Sequence, residues 1–315
     1  CGLAAAVSMK QAGIDAVVLE AGCVVNSIMG YPTYISFFST AEKLSIGMPF
    51  VVSTDKPTRR DALAYYRAVV RHFDLAVRQY EAVTRIEPRD GLFVVHSAPR
   101  GLGPQETKAR AVIVATGYFG TPNRLDVPGE DLPHVTHEYR EGHEAFQRTA
   151  LVVGGGNSAV EAALDLYRAG AKVTVVHFGP TFDKNIKPWV RPDFEGRVAD
   201  GDIALHWKTR VTAITPDAVL VERNDVAERI AAQHVYLMTG YTPRPELLAS
   251  VGISLDPVTG VPPHDPKTME TATRGVFIAG VLASGLDANK IFIENGRVHG
   301  PMIAQALLER RDFTA

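Results

Sequence analysis

Apolar runs of strand length recur along the chain and are separated by stretches with the helical spacing of apolar residues. The helical stretches are residues 3–11, 61–73, 159–169 and 292–310. The strand-like runs are residues 16–20, 75–80, 82–87, 92–96, 109–115, 150–153, 172–177, 235–239 and 276–280. Strands that alternate with helices predict an α/β protein with parallel, doubly wound sheets.

Two βαβ units stand out in this pattern, so we predict two Rossmann-like domains. The second unit is complete, with a strand at 150–153, a helix at 159–169 and a strand at 172–177. The first begins directly with its helix at 3–11 and continues into the strand at 16–20. A βαβ unit needs a strand before that helix. We therefore expect the first strand and most of its turn to be missing from the N-terminus.

Composition argues against several classes of function. The 315 residues carry a net charge of −2, which favours neither a nucleic-acid nor a membrane-surface partner. Every apolar run is too short to cross a bilayer. Cys1 and Cys23 form no Cys-x-x-Cys pair, and the histidines and glutamates of residues 134–144 lack the spacing of a zinc site. We therefore expect a cytoplasmic protein with reduced thiols and no metal.

The turn of the complete βαβ unit fits the pattern G-x-G-x-x-A. Gly154 permits the tight turn, Gly156 lets the backbone approach a pyrophosphate, and Ala159 lets helix and strand pack closely. Asn157 and Ser158 then begin a helix whose free N–H groups favour phosphates. The motif predicts a dinucleotide site, and a glycine-rich turn without a ligand is the alternative.

The end of the following strand indicates which nicotinamide nucleotide is bound. NAD sites usually place an acid here to hold the ribose 2′-hydroxyl, whereas a 2′-phosphate requires cations. Residues 175–178 contain no acid, and His177, Lys184, Lys187 and Arg191 lie in or after this segment. This favours NADPH over NADH. A solvated basic loop is the competing interpretation.

The start of the chain carries half of a similar motif. Gly2 has the position of the last glycine of a G-x-G-x-x-G turn, and Glu20 ends the following strand, where an acid holds a ribose hydroxyl. Such an acid suits the adenosine of FAD. Two other strand ends, Thr116-Gly117 and Gly280, are typical of segments that close on a flavin and its pyrophosphate. Together these residues predict an FAD site.

Several short segments are distinctive as sequences, the last of them most of all. They are residues 31–33, 37–39, 43–47, 115–118, 186–189, 240–241, 279–281, 287–289 and 291–296. Together they resemble the thioredoxin-reductase-like flavoproteins, and more closely the bacillithiol-disulfide reductase family. The resemblance covers essentially the whole chain.

The resemblance implies FAD and NADPH as cofactors, a homo-oligomer, and a discontinuous FAD domain. That domain would comprise residues 1–118 and 247–315, with an NADPH domain, residues 119–246, inserted between its parts. We expect FAD to contact Gly2, Glu20, Ala21, Ser45, Thr116, Gly117, Gly280, Asn289, Lys290 and Ile291. We expect NADPH to contact Gly154, Gly156, Asn157, Ser158, Ala159, His177, Lys184, Lys187 and Gly240.

One departure from thioredoxin reductases affects the mechanism. Those enzymes carry a Cys-x-x-Cys dithiol just before the second glycine turn, and the matching residues 137–141 here contain no cysteine. In the family resembled, a single cysteine of the first glycine motif is the implied thiol, and Cys1 matches it. A cysteine at a helix N-terminus has a lowered pKa. The alternative is that Cys1 is a small packing residue beneath the flavin.

These inferences predict a reductase that passes hydride from NADPH to FAD and on to a low-molecular-weight disulfide, bacillithiol disulfide above all. Two rivals stay open. The first is a flavin monooxygenase, although the chain has no Phe-x-Gly-x-x-x-His motif ahead of the second glycine turn. The second is a non-catalytic flavin-binding sensor or partner protein.

Overall fold

The computed structural model describes residues 1–117, 120–183, 186–242, 246–287 and 290–310. Their contacts divide the chain into two compact units. The first unit is Cys1–Met29, Ile35–Thr121 and Thr242–Ala315, and the second is Gly30–Tyr34 and Pro122–Tyr241.

The elements of both units are numbered in chain order. The helices are α1 (Gly2–Gln11), α2 (Asn26–Met29), α3 (Ala41–Leu44), α4 (Arg59–His72), α5 (Asn157–Arg168), α6 (Arg191–Ala199), α7 (Glu246–Ala249), α8 (Ile293–Gly296) and α9 (His299–Leu308), with 3₁₀ turns at His143–Ala145 and Gly280–Ser284. The strands are β1 (Val17–Glu20), β2 (Ala76–Gln79), β3 (Glu81–Arg89), β4 (Leu92–Pro99), β5 (Gln105–Ala109), β6 (Val112–Val114), β7 (Val135–Thr136), β8 (Thr149–Val153), β9 (Lys172–Val176), β10 (Ile203–His206), β11 (Thr209–Thr215), β12 (Ala218–Arg223), β13 (Val226–Ala231), β14 (His234–Leu237) and β15 (Val276–Ile278).

The second unit contains a parallel sheet with the strand order β10-β9-β8-β14-β7. Helix α5 packs on strands β8 and β9 through small side chains, of which Ala159 and Ala163 are fully buried. Phe194 of α6 is also fully buried and completes this core. The βαβ unit predicted at 150–177 is confirmed, because β8 and β9 pair in parallel and α5 connects them. Both strands are largely apolar, as buried parallel strands are.

A second, antiparallel sheet of strands β11, β12 and β13 belongs to the same unit and was not predicted. Strand β11 has only two buried residues, and β13 has none. Arg210, Glu222 and Arg229 interrupt the apolar pattern on the exposed face. A half-exposed sheet therefore lacks the continuous apolar runs that revealed the parallel strands.

The parallel strands of the first unit form two pairs, β1 with β2 and β6 with β15. Strands β3, β4 and β5 form an antiparallel sheet. Phe277 and Ile278 of β15 lie in one core with Met9 of α1 and Ile303 of α9. With both units described, the predicted α/β class with two Rossmann-like domains is confirmed.

Two predicted elements were wrong in extent. The single strand expected at 109–115 is two strands, because the chain leaves the antiparallel sheet after Ala109 and joins the parallel pair at Val112, whose N–H bonds the carbonyl of Gly275 at 2.9 Å. The single helix expected at 292–310 is interrupted between α8 and α9. Pro301 has no N–H to continue a helix, but it is tolerated in the first turn of a new one.

No helix in the described parts of the chain is long and apolar enough to cross a membrane.

Candidate functional site

The first position of the glycine turn in the second unit has no room for a side chain. Gly154 has a φ of +147°, and a Cβ atom there would collide with the carbonyl oxygen of Met238, beyond the end of β14. The same Cβ would lie 3.1 Å from that of Ala159. Gly154 therefore permits the tight turn, and helix and strand pack closely at Ala159, as the motif predicted.

Helix α5 begins at this turn with its first N–H groups uncapped. Neither a capping side chain nor an acidic residue occupies its first turn within the described structure. Asn157 uses its side-chain oxygen to accept a hydrogen bond from the N–H of Lys187 at 2.9 Å, and Ser158 is exposed. Free amides and the helix dipole make this end suitable for a phosphate.

His177 lies against the glycine turn rather than in solvent. Its side chain is 5% exposed, and a Cβ on Gly155 would lie 2.5 Å from the ring. Burial lowers the pKa of His177, although Asp183 and a backbone contact to Thr181 oppose the shift. Its Nδ1 atom is buried without a hydrogen-bond partner among the described residues. A neutral imidazole can accept a hydroxyl proton, but it is a poor ligand for a phosphate charge.

A carboxylate that the sequence pattern missed also lies at this turn. The N–H of Asp183 donates to the carbonyl of Gly155 at 3.1 Å, and its Oδ2 atom would be 3.1 Å from a Cβ on Gly156. The sequence analysis found no acid among residues 175–178 at the end of β9, and Asp183 lies beyond that segment. The chain returns to the turn several residues later, and only the folded loop reveals it.

Two other residues expected to contact the nucleotide are already engaged. The Lys187 ammonium donates to Glu161 of α5 at 2.7 Å. Gly240, with a φ of +83°, accepts a hydrogen bond from the N–H of Asn123 at 3.0 Å. Lys184 lies outside the described residues. The role of these residues toward NADPH stays a prediction.

In the first unit, several expected FAD contacts follow the carboxyl ends of parallel strands. Glu20 ends β1 and accepts a hydrogen bond from the N–H of Gly22 at 2.8 Å. Burial raises the pKa of Glu20, and that hydrogen bond opposes the shift. Ala21, beside it, is exposed, as is Thr116 beyond the end of β6. Ligands of α/β sheets bind outside such strand ends.

The N-terminus of α1 lies at the same ends. A Cβ on Gly2 would be 3.4 Å from that of Ala115, so glycine allows close contact with the end of β6. Among the described residues, no side chain caps this helix. Gly117 has a φ of +74°, and no atom of the described residues lies within 4 Å of the position of a Cβ there.

The Cys1 side chain packs between two glycines that are far from it in the sequence. A Cβ on Gly280 would lie 2.8 Å from the Cys1 sulfur, and one on Gly296 would lie 2.7 Å from it. Side chains at either glycine would therefore displace the thiol. The same Gly296 position is 3.0 Å from the Cγ2 atom of Ile291, which lines this pocket.

His299 orders this pocket and was missed in the sequence. The N–H of Gly280 donates to its Nδ1 atom at 3.1 Å, and the ring is buried. Burial, together with nearby His264, lowers the pKa of His299. The neutral imidazole required as an acceptor is thus favoured. No sequence motif pointed to this residue, which is the first residue of helix α9.

The remaining expected FAD contacts lie in surface segments. Ser45 donates to the carbonyl of Glu42 at 2.6 Å and accepts from Arg297 at 3.0 Å. Lys290 is 3.6 Å from a carboxylate oxygen of Asp287. Asn289 lies outside the described residues. No group of histidines, cysteines and acids that could hold a metal occurs within the described ranges.

Comparison with known proteins gives the family. The model for pyridine nucleotide-disulphide oxidoreductases matches residues 1–280. The chain belongs to this family. Its relatives include bacilliredoxin reductase Bdr of Bacillus subtilis, which is 44% identical over 99% of this chain and 96% of its own length.

Solved structures agree with this family assignment. The bacillithiol disulfide reductase Bdr of Bacillus cereus has a TM-score of 0.94 and 43% identity over 97% of this chain and 95% of its own. The enzyme of Staphylococcus aureus has a TM-score of 0.91 and 42% identity over 99% and 96%. The predicted resemblance to bacillithiol-disulfide reductases is confirmed.

This pyridine nucleotide-disulphide oxidoreductase is an FAD-dependent enzyme, and the expected cofactors, FAD and NADPH, are those of its family. Thioredoxin reductase of Lactococcus lactis, at 20% identity with a TM-score of 0.75, shares the fold. The glycine turn before α5 and the Cys1 pocket fit dinucleotide cofactors, since each offers uncapped helix amides and glycines at points of close approach.

Proposed function

We propose that this oxidoreductase uses NADPH to reduce a low-molecular-weight disulfide, bacillithiol disulfide above all. The observation that carries the proposal is the position of the Cys1 sulfur between Gly280 and Gly296, among the residues that we expect to hold FAD. Relatives named as bacillithiol disulfide reductases support the choice of substrate. The chain has no Cys-x-x-Cys dithiol that could serve as an alternative relay.

We assign FAD to the first unit and NADPH to the second. The assignment rests on Gly2, Glu20 and Gly280 at one set of strand ends, and on Gly154 and Gly156 at the other. When bound, FAD accepts a hydride from NADPH and supplies two electrons for disulfide reduction. The protein contributes binding, orientation and the exclusion of water.

Cys1 would act as the nucleophile. Its thiolate attacks one sulfur of the disulfide, one thiol leaves as thiolate, and a mixed disulfide forms on Cys1. Two electrons and a proton then release the second thiol and restore the Cys1 thiolate. His299 is a positioning residue, because its neutral ring accepts the N–H of Gly280, against which the sulfur packs.

Anaerobic NADPH oxidation with a panel of disulfides tests the substrate assignment. The panel contains bacillithiol disulfide, glutathione disulfide, cystine, coenzyme A disulfide and a bacilliredoxin carrying a bacillithiol mixed disulfide. The last is included because one relative is named a bacilliredoxin reductase. We expect bacillithiol disulfide to give the highest kcat/KM. A preference for the protein substrate would contradict the small-molecule assignment, and flavin that NADPH does not reduce would indicate a non-catalytic protein.

The double substitution Lys184→Ala with Lys187→Ala is expected to weaken NADPH more than NADH. Hydrogen bonds to charged groups are typically worth about 1.5–3 kcal/mol, so the loss should be about tenfold or more for NADPH alone. Lys172→Ala, at the opposite end of strand β9, is the matched control. Equal losses for both nucleotides in titrations of the enzyme would show that the two lysines do not read the 2′-phosphate.

We also propose that the enzyme is cytoplasmic and forms a homo-oligomer. Cys1 and Cys23 are both free thiols, which suits a reducing compartment. Sedimentation of the FAD-loaded enzyme tests the second part, and a mass of one chain would contradict it.

A further inference from the structure

An exposed aromatic residue directly after strand β9 makes a cation–π contact with an arginine. Phe178 is 62% exposed, and the Arg210 guanidinium carbon lies 5.2 Å from its ring centroid. Strand β9 is the second strand of the βαβ unit that contains the glycine turn. Its end is where such units bind the ribose that distinguishes NADPH from NADH.

Backbone hydrogen bonds hold Arg210 at this place. The N–H of His177 donates to the carbonyl of His206 at 3.0 Å, and the N–H of Thr209 donates back to His177 at 2.9 Å. The N–H of Lys208 bonds the carbonyl of Gly179 at 3.0 Å. The segments that follow β9 and β10 are thus joined. They bring Lys208, between β10 and β11, and Arg210, in β11, to the end of β9.

Both cations are available for an anion. Arg210 and Lys208 are exposed, and neither takes part in an ion pair within the described structure. Glu222 is the cross-strand partner of Arg210 in the β11–β12 register, but the two form no ion pair either. Lys187, which we also expect near the 2′-phosphate, is paired with Glu161, and Arg191 is paired with Glu195.

We propose that Arg210, with Lys208 beside it, binds the 2′-phosphate of NADPH and sets the preference of this enzyme over NADH. The inference rests on the proposed NADPH site in the second unit. A guanidinium stacked on an aromatic ring keeps its N–H edges free, and those edges match two phosphate oxygens. The sequence motif for nucleotide preference covers only the residues that directly follow β9. It therefore could not identify a cation that β11 supplies.

Calorimetric titration of the FAD-loaded enzyme with NADP⁺ and NAD⁺ tests the proposal without turnover. We expect Arg210→Ala to weaken NADP⁺ about tenfold or more while NAD⁺ changes by less than about twofold. Arg210→Lys should retain part of the preference, and Arg210→Glu should lose more than Arg210→Ala. The matched control is Arg229→Ala, an exposed arginine of the same antiparallel sheet that is paired with Asp217.

The outcomes separate this inference from the proposed function. If Arg210→Ala lowers the affinity for both nucleotides equally, or for neither, Arg210 does not bind the 2′-phosphate and the inference is wrong. The same conclusion follows if Arg229→Ala has the same selective effect. If the unsubstituted enzyme binds neither nucleotide, the proposed NADPH site itself is wrong. Unchanged flavin content and circular dichroism of Arg210→Lys would show that the fold is retained.

Discussion

Gly156→Val is expected to abolish reduction of the flavin by NADPH and to leave FAD bound. Gly156 precedes helix α5, where we expect the backbone to approach the nucleotide pyrophosphate most closely. A branched side chain there would fill that space, and its Cβ would already be 3.1 Å from Asp183. We expect NADP⁺ affinity to fall by more than about 100-fold, or about 2.8 kcal/mol. Anaerobic stopped-flow absorbance and calorimetry measure the two effects.

The matched control for this substitution is Gly196→Val. Gly196 belongs to α6 of the same unit, and within the described structure a Cβ there would meet no atom from outside its own helix within 4 Å. It should leave both flavin reduction and nucleotide affinity close to those of the unsubstituted enzyme. NADP⁺ affinity that is unchanged in Gly156→Val would place the nucleotide elsewhere.

Cys1→Ala is expected to separate the two halves of the reaction. NADPH should still reduce the flavin rapidly, because hydride transfer between the two cofactors needs no thiol. Turnover with disulfide should fall to the background level, because this chain has no dithiol relay. Alanine is preferable to serine, since a hydroxyl would add a hydrogen-bond donor beside Gly280 and Gly296. Stopped-flow bleaching and steady-state NADPH oxidation measure the two halves separately.

Cys23→Ala is the matched control, because Cys23 is the other free thiol of the first unit. It should retain turnover with disulfide. If Cys1→Ala turns over disulfide at the parental rate, reduced flavin acts on the disulfide directly and Cys1 is a packing residue. If flavin reduction itself fails in Cys1→Ala, FAD binding measured by absorbance shows whether the substitution has disturbed the flavin site.

The parts of the fold that could be predicted are those that depend on neighbouring residues. The turn from Gly154 to Ala159 was recognised because a strand, a glycine pattern and a helix follow one another directly. The continuous apolar strands β8, β9 and β15 were found for a similar reason. The sheet of β11, β12 and β13 was missed because each strand exposes polar side chains on one face.

The parts of the site that could not be predicted depend on distant residues. Asp183 returns to the glycine turn through a loop, and Arg210 reaches Phe178 from strand β11 of the antiparallel sheet. His299 contacts Gly280 from the start of helix α9, and from sequence alone a buried histidine cannot be distinguished from an ordinary core residue. Local sequence patterns predicted dinucleotide cofactors. The other residues that contact each site could be identified only from the folded structure.

The most direct test of the account is the stoichiometry of thiol released per NADPH consumed under anaerobic conditions. Purified FAD-loaded enzyme is mixed with limiting NADPH and excess bacillithiol disulfide, and free thiol is measured after NADPH is exhausted. We predict two thiols per NADPH, and no steady NADPH consumption when disulfide is omitted. NADPH consumption that requires oxygen, with no thiol released, would contradict the account and indicate oxygen chemistry instead.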